Sequence, residues 1–596
     1  MVLRMPRSKF PHLSHLHLRR GAVALRGWVR QTEMGLILMA VVVGAVSGLL
    51  AVAIGAVAQG AHVLFFGPEA THGLSALREA SPWALLLLPA LGGLLLGGLN
   101  RLLARYRPRS PVDPIEANAL HGGRLSLNDG VVVVAQNLVS NGFGASVGLE
   151  AGYTQIAGGV ASRLGRLFGL RRGDLRVLVG CGAAGAIAAA FDAPLTGTFY
   201  AFELVVGVYS IVTLAPVVTS AVVAVLLARL IRGENAMLAV GGGVAPDVEG
   251  YGLALLLGLL CGLAGIALMR GVTLTEQWLR QGIPWPNLRP AVGGLVVGAL
   301  ALITPGVLSA GHGSLHKLFL TESTLGAVAL LLVLKAVASA VSIGSGFRGG
   351  LFFASLLLGA LLGQCFAAVL AILMPPGVDA VFLITVGTSA FGAAVIGAPL
   401  AMTFLALEMT GNFGLTGAVL VAVIAASVTV RRLFGYSFAT WRFHLRGETI
   451  RSARDIGWLR DLTVGKLMRR NVRTVKTDTR LSSFRRDFPL GAESRVVAVD
   501  EADRYAGIIS VADAHAETSD ELETIAPLLQ HPKTPLLPAM NAKEAMAVFD
   551  ATESEALAVV DSADHCNVIG LLTQAHLLRR YGEELEKRRT EELGSA

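Results

Sequence analysis

The stretch 188–205, AAAFDAPLTGTFYAFELV, returns in outline at 394–411 as AVIGAPLAMTFLALEMTG. Each copy carries Ala-Pro-Leu, then a phenylalanine, then a glutamate at matching spacing: Pro194, Phe199 and Glu203 in the first, Pro399, Phe404 and Glu408 in the second. Two halves with corresponding Gly/Pro-interrupted helices are what repeat-built transporters show, with the substrate held near mid-membrane by the ends of broken helices. The competing reading is that small-residue motifs simply recur in a Gly/Ala-rich bundle.

The chain around these copies is that of a polytopic membrane protein. Of its 596 residues 53% are hydrophobic and 15% charged, 70 are glycine, and the mean hydropathy is +0.61; a soluble globule has no use for such a composition. Apolar runs of spanning length, about 20 residues at 1.5 Å each, recur from Gly35 to about Thr429, as in 35–58 and 251–269. No irregular backbone can face lipid, so the expected fold here is all-helical. Seven Lys/Arg and no acid among the first 30 residues place the N-terminus in the cytoplasm by the positive-inside tendency. No cleavable signal pattern is evident. The net charge of +8 reflects flanks near an anionic leaflet rather than a nucleic-acid partner. Cys181, Cys261, Cys365 and Cys566 are scattered and read as packing residues, not as a disulfide or metal framework.

Near Arg431 the composition changes, and from Arg451 to Ala596 roughly 30% of residues are charged, with short β-branched runs alternating with amphipathic helical patterns, as in a soluble α/β domain. The expected organisation is a basic cytoplasmic segment 1–34, a transmembrane domain 35–445, a linker 446–461, two α/β repeats at 462–515 and 533–585, and a charged tail 586–596.

Three Gly/Pro-punctuated stretches could aim helix N-termini at the bundle interior: RSPVDPIEANAL (109–120), GASVGLEAGYTQ (144–155) and GSGFRGGLFFASLLLG (344–359). Such ends offer unpaired N–H groups and a positive dipole end, enough to hold a small anion. In this order, and with the Ala-Pro-Leu repeat, they resemble the CLC chloride channel and transporter family, whose signatures read G-S-G-I-P, G-[KR]-E-G-P and G-x-F-x-P. Here they stand as Ser110-Pro111-Val112-Asp113-Pro114, Gly148-Leu149-Glu150-Ala151-Gly152 and Gly350-Leu351-Phe352-Phe353-Ala354. Leu149, Gly152 and Ala354 depart from the pattern. The 462–585 region resembles the tandem CBS pair frequent in that family.

The resemblance implies a homodimer in the cell's inner or plasma membrane, with one anion pathway per subunit and both termini cytoplasmic. It makes Glu150 the gating glutamate, whose carboxylate occupies an anion site when ionised and leaves it when protonated or displaced. A cap in the first helical turn is the alternative role. The amides of Leu351 and Phe352 would line the central site, with Gly350 and Gly148 also among its anion-binding residues. The family's serine aligns with Pro111, which cannot donate and is similar to members that prefer nitrate. Its tyrosine aligns with Ala439, with Tyr436 as a substitute three residues earlier. Where exchangers often carry Glu-Glu the pair is Glu203-Leu204, and leucine cannot relay a proton. Glu203 and Glu408 then either tie helices together or, for Glu203, shuttle protons.

These residues lean toward a passive, glutamate-gated channel for chloride or another small anion. A proton-coupled chloride or nitrate exchanger is the alternative, and a non-conducting nucleotide-sensing scaffold a further one. No cofactor is required. In nucleotide-binding CBS pairs an aspartate follows the helix-capping hydroxyl by three residues. Asp513 keeps that place after Ser510, and His576 stands there after Thr573, so an adenine-nucleotide site and a ligand-free dimerising module are both open. An enzyme is not expected: Gly144-Ala-Ser146-Val-Gly148 matches a nucleophile elbow but lacks the preceding strand. His312 is expected in a Gly-rich loop between spans, and no metal-ligand spacing occurs.

Overall fold

The computed structural model describes residues 26–30, 32–77, 80–106, 109, 111–233, 246–320, 324–373, 379–445, 462–516, 519 and 522–593. The chain divides into two compact units, Met1–Asp455 and Ile456–Ala596. The segment expected to link them, 446–461, lies outside the described residues, as do most of the basic N-terminal segment and the last three residues of the tail.

The first unit is helical throughout. Its first half runs α1 (Glu33–Phe66), α2 (Pro82–Tyr106), α3 (Pro114–His121), α4 (Leu127–Gly142), α5 (Glu150–Leu167), α6 (Arg172–Phe191), α7 (Pro194–Tyr200) and α8 (Ile211–Arg232). The second half runs α9 (Val248–Gly282), α10 (Arg289–Ile303), α11 (His312–Leu320), α12 (Leu325–Ser345), α13 (Phe352–Leu373), α14 (Ala380–Ile396), α15 (Pro399–Thr410) and α16 (Phe413–Leu433), and α17 (Phe438–Leu445) follows. Among the described residues nine helices are long and apolar enough to cross a membrane.

The two halves repeat in order and in length. Each opens on an over-long helix of 34 or 35 residues, more than the roughly 20 that span a bilayer core. The third and seventh helices of each half, α3 and α7 in one and α11 and α15 in the other, have 8, 7, 9 and 12 residues. None of these is long enough to cross a bilayer core, and any of their ends at membrane depth is tolerated only against protein or a cavity. Prolines open three of the four (Pro114, Pro194, Pro399), where the missing N–H costs nothing.

Lipid gives helices no hydrophobic reason to associate, so packing depends on close approach at small residues. The halves meet this way at α2 and α10: Gly93 and Gly97 lie against the backbone of Pro290 and Asn287, and Gly294 and Gly298 against that of Pro89 and Leu86. The contact is reciprocal. Within each half the same device joins first helix to last, Gly44 and Gly48 on Ser220 and Ala224, Gly258 on Ala422.

The second unit is α/β. It comprises α18 (Val464–Leu467), β1 (Thr474–Lys476), α19 (Leu481–Asp487), β2 (Arg495–Val499), β3 (Tyr505–Ser510), α20 (Val511–Ala514), α21 (Ala542–Thr552), β4 (Ala556–Val560), β5 (Val568–Thr573) and α22 (Gln574–Leu593). Helix–strand–strand–helix thus occurs twice. In both copies the strands pair antiparallel, Val496 opposite Ile509 and Leu557 opposite Leu572, and both ladders slip one position before the turn. The copies share a core in which Val497, Tyr505 and Ile508 pack with Ala558 and Val560. This is the two-repeat α/β organisation expected of a CBS pair.

Gly294→Ala puts a methyl group into the Pro89 carbonyl. It should cost about 1–3 kcal/mol, the range for overpacking, seen as a lower melting midpoint of the detergent-purified chain. Gly98→Ala, on α2 but off the seam, exposed and with open space beside it, should leave the midpoint where it is or raise it.

Candidate functional site

The site begins with the helix ends that the Ala-Pro-Leu motifs create. An α-helix leaves its first four N–H groups without intrahelical partners, and their dipoles attract a carboxylate. Glu203 receives the Leu400 and Ala401 amides of α15 on its two oxygens, each at 3.0 Å. In return Glu408, near the end of α15, receives the amides of Leu195 (2.6 Å) and Thr196 (2.9 Å) and the Thr196 hydroxyl (2.5 Å) at the start of α7. Each motif caps the other. Because the C-terminal end of one helix meets the N-terminal end of the other, the two run antiparallel, and Phe199 stacks on Phe404 with ring centroids 4.3 Å apart.

Past Tyr200 the helix widens into a π-helical turn, Ala201–Val206, a local form frequent at functional sites. Here it turns successive side chains different ways. Glu203 reaches α15, whereas Leu204 lines an internal cavity.

That cavity gathers most of the residues singled out in the sequence. Pro111, Glu150, Leu204, Gly350, Leu351, Phe352 and Ala439 all line it, although they come from five helices or their approaches. Two glycine-rich connections meet above it. Gly148 donates to the Gly350 carbonyl at 2.9 Å and Gly350 to the Gly148 carbonyl at 3.3 Å. Asn137 of α4 clamps the pair: its Nδ2 donates to the carbonyls of Gly148 (2.9 Å) and Arg348 (3.1 Å), and its Oδ1 receives the Gly152 amide at 3.0 Å. Asn141, one turn on, donates to the Val147 carbonyl and the Ser309 hydroxyl.

Glu150 opens α5 under this clamp and is 6% exposed. Its Oε1 accepts from the Phe353 amide at 3.2 Å, and its Oε2 has no hydrogen-bond partner among the described residues. The carboxylate lies over Gly148, where any side chain would collide with it. It therefore sits on the N-terminus of α13, the helix of the other half that corresponds to its own. The amide it takes is that of Phe353, one residue beyond Leu351 and Phe352, which line the cavity beside it.

Ala439 lies on the cavity wall, while the Tyr436 hydroxyl pairs with Nδ1 of His444 at 3.2 Å and its ring stacks on that imidazole. His312 is not in a loop: it opens α11, and its ring stacks on Phe353 at 3.5 Å, because the Gly311 turn ends just before it. Ser146 hydrogen-bonds Ser339 and Ser342, with no histidine partner among the described residues. No cluster of three metal-ligating side chains occurs among the described residues. Asn137, Tyr200, Gln155 and Arg348 belong to the site but were not singled out from sequence. Asn137 and Asn141, four apart in an apolar helix, were the readable signal, since polar side chains at membrane depth are costly without a task.

In the second unit Ser510 Oγ receives the Asp513 amide and Thr573 Oγ1 the His576 amide, both at 3.3 Å. Asp513 is exposed and its Oδ2 accepts from Gln530 Nε2 at 3.0 Å. Partial burial, then the cations of Arg579 and Arg580, hold His576 below the usual histidine range.

A buried carboxylate at one broken-helix start, taking an amide from another across a cavity, defines a two-repeat membrane protein with an anion-type site. The sequence model described as "Voltage gated chloride channel" matches residues 92–431. A "Voltage-gated ClC-type chloride channel ClcB" of Escherichia coli O81 (strain ED1a) is 32% identical over 378 residues, 62% of this chain and 89% of that protein. The chain belongs to the CLC voltage-gated chloride channel family and is a CLC-type anion transport protein. Among solved structures, that of a slow cyanobacterial Cl-/H+ antiporter superposes with a TM-score of 0.61 at 22% identity, covering 69% of this chain and 97% of the other. A eukaryotic CLC transporter gives 0.59 at 18% identity over 91% of this chain and 97% of its own, so the shared fold extends into the second unit.

Glu408→Ala leaves the Leu195 and Thr196 amides unpaired at membrane depth. Loss of about 2–4 kcal/mol is expected from three charge-assisted bonds and their stranded donors, read as a lower melting midpoint. Anion preference should not change, because Glu408 is not on the cavity wall.

Proposed function

We propose that the protein is a passive conduit for chloride-type anions, gated by Glu150, in a membrane from which both termini face the cytoplasm. The observation that carries this reading is the Glu150 carboxylate on the Phe353 amide at 3.2 Å, at the wall of the cavity that also holds Leu351, Phe352 and Leu204. A carboxylate and a permeant anion want the same thing, an N–H donor at a helix start. An arriving anion therefore competes with Glu150 for the Phe353 amide. Protonation removes the carboxylate's charge, weakens its hold on the donor and leaves the place to the anion. A neutral amide as the contested donor suits such a path, with Arg348 and Arg442 also on the cavity wall, since binding must be strong enough to admit an ion and weak enough to release it.

Passive conduction is supported by Leu204, an apolar side chain on the cavity wall at the position where a relay acid is expected. The orientation of the termini is supported by the seven basic residues ahead of the first span. One observation favours coupled exchange instead: Asp113, which caps α3 by accepting the Glu116 amide at 2.9 Å, lines the same cavity and offers an acid that Leu204 does not.

Glu150→Gln tests the gate in liposomes loaded with chloride. The amide resembles the protonated acid, so efflux near pH 7 should rise severalfold over the unmodified protein and lose its increase on acidification. A mutant whose efflux matches the parent at every pH would reduce Glu150 to a helix cap.

A further inference from the structure

We propose that Tyr200 is an anion ligand: its phenol supplies, from α7, the hydroxyl donor that neither Pro111 nor Ala439 can give. The proposal rests on the anion reading of the cavity and names a residue that sets its preference.

Two walls of the cavity stand where side-chain donors are expected, and both are silent. Pro111 has neither a side-chain donor nor an N–H, and Ala439 ends at a methyl group. The Phe353 amide is occupied by Glu150 while the carboxylate is in place. Tyr200 lines the same cavity with Leu204 and Phe352, and its ring is tilted against that of Phe352 at a centroid distance of 5.8 Å.

The hydroxyl of Tyr200 makes no hydrogen bond with any described residue. Tyr505 and Tyr436, by contrast, pair with the His531 carbonyl and with His444. A phenol in protein surroundings usually finds a partner, and leaving its donor unmade is costly. At the wall of a cavity the partner is what fills the cavity, and a phenolic O–H donates to an anion.

Position supports the same conclusion. Tyr200 is the last residue of α7 before the π-helical turn, and α7 is held at its start by the Glu408 cap. A ligand on a braced helix keeps its geometry better than one on a loop. The phenol is also neutral, so it binds an anion without trapping it.

Tyr200→Phe keeps the ring against Phe352 and deletes only the donor. Chloride and iodide are titrated calorimetrically into the full chain in detergent, and melting is followed in parallel. The proposal expects chloride affinity to fall about five- to tenfold, the worth of one ordinary hydrogen bond. Iodide, a weaker acceptor, should lose less, and the melting midpoint should hold. Adding Ala439→Tyr to Tyr200→Phe should recover part of the chloride affinity by returning a hydroxyl to another wall of the cavity. Chloride affinity unchanged in Tyr200→Phe, while the parent binds normally, would overturn the assignment and leave the anion reading intact. Equal losses for both anions with a lowered midpoint would overturn it as well, by making the residue structural. A parent chain that neither binds anions nor carries flux would overturn both readings together.

Discussion

The structure depends on an exchange of caps. A helix that starts inside a membrane exposes N–H groups that lipid cannot satisfy, each unsatisfied group costing several kcal/mol. Here the carboxylate that satisfies α7 comes from α15, and the one that satisfies α15 comes from the turn after α7. Neither half can complete its own motif. The halves must therefore meet antiparallel, with Phe199 on Phe404, and that meeting fixes which side chains of α7 and its π-helical turn face inward.

Function is built on the side left over. With Glu203 committed to α15, Tyr200, Leu204 and Val205 are the residues this segment contributes to the cavity. A second crossing of the halves, the Gly148–Gly350 pairing clamped by Asn137, brings α5 and α13 start to start. Glycine at 148 leaves the space that the Glu150 carboxylate occupies. The result is one acid held on one helix end, the donor for which the proposed gate has an incoming anion compete. The wall around it mixes neutral groups with the guanidinium side chains of Arg348 and Arg442.

Much of this was legible in the chain. The Ala-Pro-Leu copies announced two broken-helix halves, the long apolar runs gave the spans, and an isolated glutamate among glycines marked Glu150. Partners were harder to read, because each crosses from one half to the other. That Glu203 takes the amides of Leu400 and Ala401, or that Glu150 takes Phe353 rather than its neighbours, depends on register between segments some two hundred residues apart, which no local pattern encodes. Asn137 escaped notice for a different reason: its task is to hold backbone carbonyls, and backbone leaves no trace in side-chain identity. His312 was misjudged because the glycines around it suggest a loop, whereas burial against Phe353 stabilises a helix start there.

The central claim is that anions cross this cavity without a coupled proton. The most direct test is the reversal potential of the purified chain in a planar bilayer, measured under a chloride gradient at equal pH and again with a pH gradient added. The account predicts reversal at the chloride equilibrium potential in both cases, with Leu204 marking the missing relay. A reversal potential displaced by the pH gradient would contradict it and transfer the role of inner acid to another group on the cavity wall, Asp113 first.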